Sequence, residues 1–164
     1  MKNALIYFLS LGIFIINACI SDSNKKYEEE IVTKSEALSD LGKTLVVPWI
    51  VELNDSSQMM EIKRNPEANL FNLGPQDMVD ALNLKYPQIK LEWVKQEGKR
   101  AIIKIEDANY LTRELGTEGA SAYLAEITYS ITELKGIEEI ELKFEEGDHA
   151  CPGVYRREDF KNFN

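Results

Sequence analysis

The stretch that most constrains how this chain can fold runs from Glu118 to Gly147. Ala120, Leu124, Ile127, Ile131 and Leu134 recur at alternating four- and three-residue steps, one apolar stripe at helical period. The spacing predicts an amphipathic helix over Glu118–Lys135. Gly136 follows the last periodic residue, where a left-handed backbone is unstrained only for glycine. The period then changes to two. Ile140, Leu142 and Phe144 alternate with Glu139, Glu141, Lys143 and Glu145, the pattern of a strand with one face in a core and one in water. Neither element can bury its apolar face alone, so both need a layer to pack against.

The preceding chain supplies that layer. Leu45 to Leu53 is rich in branched and aromatic residues and reads as a strand. Pro48 has no N–H to give to a ladder, which places this strand at an edge or starts it after Pro48. Asn54-Asp55-Ser56-Ser57 is a turn, and Met59 to Lys63 returns as a first hairpin. Gly74-Pro75 opens a helix with Met78, Val79, Leu82 and Tyr86 toward the core, and Pro87 ends it. Ile89 to Lys95 and Ala101 to Ile105 form a second hairpin about a turn containing Gly98, with Trp93 on the core side. Glu106 to Thr117 is a loop with one helical turn around Tyr110 to Leu115. The expected fold is α+β, of order ββαββαβ, with two helices packed on one face of a small, largely antiparallel sheet.

The first residues read as an address. Lys2 is followed by an apolar run from Ala4 to Ile16, broken only by Ser10 and shorter than a comfortable membrane span. The run ends in Ile16-Asn17-Ala18-Cys19, which resembles the lipobox of bacterial lipoproteins. That resemblance implies cleavage before Cys19 and an acyl lipid, palmitate included, on Cys19. The competing reading is an uncleaved anchor helix with an incidental cysteine. Either one puts the folded part outside the cytoplasm, on the inner or the outer membrane. The expected layout is a signal peptide over 1–18, a polar tether over 19–43, a folded domain over 44–147 and a C-terminal tail over 148–164. Removing 18 of the 164 residues leaves 146, enough for one domain with its own core. The net charge of −9 becomes −10 with the loss of Lys2. A surface this acidic repels nucleic acid and anionic headgroups and disfavours polyanion binding. With Cys19 lipidated, Cys151 has no internal disulfide partner.

Few residues offer chemistry. His149 is the single histidine, and Asp148, His149 and Cys151 crowd one loop. A zinc site needs three or four ligands, and no second His/Cys pair completes this one, so neither metal nor cofactor is expected. A Cys–His pair two residues apart rarely aligns for nucleophilic attack. There is no Gly-x-Ser-x-Gly elbow. The pairs Glu138/Glu139 and Glu145/Glu146 are sequence neighbours, which on a strand point to opposite faces rather than across a cleft. Tyr129 lies off the main helical stripe beside Ala122, Ala125 and Glu126, and an exposed aromatic among small residues suits a protein contact. Tyr129, Ala122 and Glu126 are the candidate contact residues, and the chain is not expected to be an enzyme. The alternative is a cell-wall polymer binder or hydrolase using a cleft near Trp49, Tyr110 and the Asp148–Cys151 loop.

The run Ile127-Thr128-Tyr129-Ser130-Ile131-Thr132-Glu133-Leu134-Lys135-Gly136-Ile137-Glu138-Glu139-Ile140 resembles the signature of the GerMN (sporulation and spore germination) domain. In that family a helix ends in a Thr-Leu-Thr-Glu-like run and is followed by a short turn and a strand closing on Asp-Gly. Gly119 before the helix, the Leu91–Ile105 hairpin, and Val47–Leu53 with Asn54-Asp55 are similar to the family's other elements. Here Ser130-Ile131-Thr132 stands where Thr-Leu-Thr is usual, and Glu146-Gly147 replaces Asp-Gly. The resemblance implies a small α+β module common in envelope lipoproteins, without established catalytic residues. It also implies self-association or docking to an envelope protein.

Overall fold

The computed structural model describes residues 45–69 and 73–163. The lipobox-like segment with Cys19, and the tether, lie outside the described residues. Among the described residues no helix is long and apolar enough to cross a membrane.

The first hairpin pairs β1 (Trp49–Asn54) with β2 (Met59–Arg64), antiparallel, as a sheet of its own. β1 starts directly after Pro48, whose carbonyl accepts the Asn65 N–H at 2.8 Å and so closes the hairpin's base. At its tip the Asn54 side-chain oxygen accepts the N–H groups of Ser56 and Ser57 at 2.9 and 3.1 Å, an Asx turn. Helix α1 (Pro75–Lys85) has Pro75 in its first turn, and the Asp77 carboxylate accepts the Gly74 N–H at 2.7 Å. Met78, Val79, Ala81 and Leu82 are its buried residues. From its last turn Asn83 grips the start of β3: its Nδ2 donates to the Leu91 carbonyl at 3.0 Å, and its Oδ1 accepts the Leu91 N–H at 2.8 Å.

β3 (Leu91–Glu97) and β4 (Arg100–Ile105) form the second hairpin. Gly98, at φ +59°, is the first of its two loop residues, as a type II′ turn requires. A bulge falls between Trp93 and Lys95. One π-helical turn (Tyr110–Glu114) leads into α2 (Gly116–Ile131), and the chain returns as β5 (Glu139–Lys143) parallel to β4. A parallel pair needs a long crossover, and α2 provides it. Antiparallel β6 (Gly153–Tyr155) completes the sheet order β3-β4-β5-β6, and a 3₁₀ segment (Arg157–Phe163) follows.

The α+β class holds. α2 ends four residues before the expected Lys135. The Glu133 and Leu134 N–H groups turn inward to the carbonyls of Ser130 and Ile131, tightening the last turn, while Gly136 takes the left-handed conformation at φ +85°. Two differences are larger. The first hairpin does not extend the sheet; it lies against α2, which is therefore covered on more than one side. Residues 148–163 are not a tail, because β6 pairs with β5 and both Phe160 and Phe163 are buried.

Candidate functional site

The three residues expected to form an exposed contact are all buried. Tyr129 is 6% exposed, Ala122 9% and Glu126 0%. The stripe Ala120, Leu124, Ile127 and Ile131 is buried on one side of α2, and the side bearing Ala122, Glu126 and Tyr129 is closed by β1. The Trp49 and Tyr129 rings meet edge to face at 5.2 Å. The correction has a plain cause. A helix apolar on both sides is a core helix, and between Glu118 and Glu133 the only charged residue is Glu126.

Glu126 sits at the junction of α2, α1 and the first hairpin. Its Oε1 accepts from Lys85 Nζ at 2.6 Å, and its Oε2 accepts the Val51 N–H at 3.1 Å. Lys85 keeps about a third of its side chain in water (34%). Tyr86 and Tyr123 pack edge to face beside the pair, 4.9 Å between centroids. Burial, together with the Glu126 charge, pushes both phenols above their ordinary range, so they stay neutral. Among the described residues the Tyr123 hydroxyl has no hydrogen-bond partner.

A second polar cluster forms where α2 ends. Glu133 accepts from Trp49 Nε1 at 2.9 Å, from Arg64 at 3.0 Å and from Arg157 at 2.8 Å. Arg157 also donates to the Tyr129 carbonyl at 2.9 Å and to Thr132 Oγ1 at 2.8 Å. Its guanidinium lies over the Tyr129 ring at 4.9 Å and the Trp49 ring at 5.2 Å. One carboxylate thus ties together β1, β2 and the C-terminal 3₁₀ segment. Partial burial pushes the Glu133 carboxyl up, but the hydrogen bonds from Arg157 and Trp49 and the two arginine charges outweigh it and hold it below the usual range. A depressed carboxyl contributes stability that is present above the unfolded-state pKa of about 4.3 and is lost as pH falls through the folded value. Urea midpoints taken between pH 6 and pH 3 should therefore fall less in Glu133→Gln than in the unaltered chain.

The Asp148–Cys151 loop is held to the π-helical turn. The His149 N–H donates to the Thr112 carbonyl at 3.0 Å, and His149 Nδ1 meets Thr117 Oγ1 at 3.0 Å. Cys151 instead donates its thiol to Glu146 Oε1 at 3.2 Å. That hydrogen bond, with some desolvation and the Glu146 charge, pushes the thiol up, the opposite of nucleophile activation. Among the described residues, no group of three or more His, Cys, Asp or Glu side chains is placed to hold a metal ion. A cleft of about 290 Å³ next to this loop is lined by Glu106, Asp107, Arg113, Glu145 and Glu146 among others, and Trp49 is not part of it. The structure therefore brings His149 and Cys151 into one loop on different partners and places Trp49 with Glu133. No local spacing announces the Trp49–Glu133–Arg157 cluster, because its members lie 84 and 24 residues apart. Comparison with known proteins found no matching family model, no matching curated protein and no matching solved structure.

Proposed function

We propose that this chain is a lipid-anchored extracytoplasmic module of GerMN type that works in the cell envelope by binding or assembly rather than by catalysis. The observation that carries the reading is the state of the His149–Cys151 loop. The residue pair best suited to nucleophilic chemistry is engaged on separate partners, and its thiol is made a poorer nucleophile by Glu146. Further support comes from the helix–turn–strand unit, in which Gly136 takes the left-handed conformation between α2 and β5. The lipobox-like Ile16-Asn17-Ala18-Cys19 supports the anchor. The bound partner is an envelope protein or a second copy of the chain, and not nucleic acid.

Cys19→Ala is expected to move the protein from the detergent-extracted membrane fraction to the soluble fraction. Unchanged retention in membranes sinks the anchor. Sedimentation of the purified soluble domain with and without solubilised envelope protein tests the binding half. A second reading, glycan binding or hydrolysis, is favoured by the four carboxylates of the cleft beside the loop. Release of soluble fragments from purified cell wall, abolished by Glu145→Gln, would establish it in place of the first.

A further inference from the structure

A groove of about 460 Å³ opens where three elements meet: β2 through Met59 and Met60, the first turns of α2 through Thr117, Glu118 and Ser121, and the C-terminal 3₁₀ segment through Phe163. It shares no lining residue with the cleft beside the Asp148–Cys151 loop. Its apolar wall stands open to water. Met59 is 59% exposed, and the partly buried Met60 pairs across the hairpin with Leu53, which is 53% exposed. Exposed apolar side chains that adjoin one another, unlike scattered single ones, mark a contact surface.

The wall that carries them is preformed. Gln58 holds a left-handed backbone at φ +56°; its N–H donates to the Asn54 carbonyl at 2.7 Å, and its Nε2 donates to the Asp55 carbonyl at 2.8 Å. A wall already ordered loses little entropy when a partner docks. The methionine side chains on it stay adaptable in shape.

Charge selects the partner. Among the described residues that line the groove, Glu118 is the charged one. From Trp49 to Ile62 the hairpin carries Glu52, Asp55 and Glu61 and no lysine or arginine. From Gly116 to Ile131 α2 carries Glu118 and Glu126, again without a cation. The 3₁₀ segment, with Arg157 and Lys161 against Glu158 and Asp159, is balanced. Two of the three walls are therefore acidic. A second copy of the chain would set like charges against each other, and an anionic headgroup would be repelled. A segment with apolar side chains between lysines or arginines meets both the methionines and the carboxylates.

We propose that the Met59–Met60 groove takes an apolar segment flanked by lysine or arginine, presented by another envelope protein. This occupant gives a chemistry to the partner of the binding module proposed above, and rests on that reading.

The purified full chain, labelled with carbon-13 at its methionine methyls, tests the groove against short synthetic peptides of Lys with Leu, Lys with Ser, and Glu with Leu. Met59 and Met60 report the groove, and the fully buried Met78 reports the core. The Lys/Leu peptide is expected to shift the Met59 and Met60 signals to saturation and leave Met78 in place; the other peptides should move none of them. Met59→Ser should weaken the Lys/Leu peptide by about tenfold, and Glu118→Gln by about threefold at low salt. An unmoved Met78 signal shows that each variant keeps its fold. Equal shifts from the Lys/Ser or the Glu/Leu peptide overturn the proposal, as does no shift from Lys/Leu. Met59 and Met60 signals that move with protein concentration alone, together with a dimer in sedimentation, give the groove to a second copy and overturn it too. Failure of the groove is distinct from failure of the module. Envelope protein that sediments equally with the unaltered chain and with Met59→Ser removes the groove and leaves the module, whereas none sedimenting with the unaltered chain removes both.

Discussion

Phe160→Ala is expected to lower the free energy of unfolding by about 3–5 kcal/mol, the usual loss when a large aromatic is removed from a core. Phe160 is 5% exposed, stacks on Tyr155 with ring centroids 6.0 Å apart and meets Phe163 edge to face at 6.4 Å. Tyr155 lies in β6, paired with Ile140 of β5, so the ring supports the strand at the sheet's edge. Urea denaturation followed by tryptophan fluorescence measures the loss. A change below about 0.5 kcal/mol, the range of ordinary surface substitutions, would return residues 148–163 to the status of a tail.

Gly147→Ala is expected to cost about 2–3 kcal/mol through overpacking. A Cβ there would come 2.6 Å from Thr112 Cβ, 2.7 Å from its Oγ1 and 3.1 Å from its carbonyl oxygen. Thr112 has no room to yield. Its hydroxyl donates to the Ala108 carbonyl at 2.9 Å, its N–H donates to the same carbonyl at 2.8 Å, and its own carbonyl holds the His149 N–H. The variant should also loosen the Asp148–Cys151 loop, read as faster labelling of Cys151 by a thiol reagent. Unchanged stability and labelling would mean that the two segments do not pack this closely.

The elements with strong local signals were legible in the chain. Pro48, Pro75 and Gly98 each act through their own backbone dihedrals, and the elements begin or turn beside them. The alternation of Ile140 and Leu142 placed β5. The second side of α2 was not legible in the same way. Ala122 and Ala125 are small and weigh little in an apolar pattern, and whether that side meets water depends on where a hairpin some 70 residues earlier comes to rest. The interior of α2 held the clue: a helix with a single carboxylate between Glu118 and Glu133 has little to offer water. β6 escaped because three residues are too few to show a period, and Phe160 and Phe163 make only one helical step. The clusters around Glu126 and Glu133 join residues 24 to 84 positions apart, which no local reading connects.

The parallel pairing of β4 with β5 also sets how the chain reaches this structure. β3 and β4 meet across a two-residue turn, but Arg100 finds Glu139 only after 39 residues have been brought round. Relative to a short turn, closing that loop costs roughly 2–3 kcal/mol of chain entropy before the ladder forms. α2 shortens the search by forming from local contacts and carrying β5 back with it. β6 can dock only after β5 has arrived, so the sheet is expected to assemble from the β3 edge toward the β6 edge, with the last strand in sequence also the last to find its place.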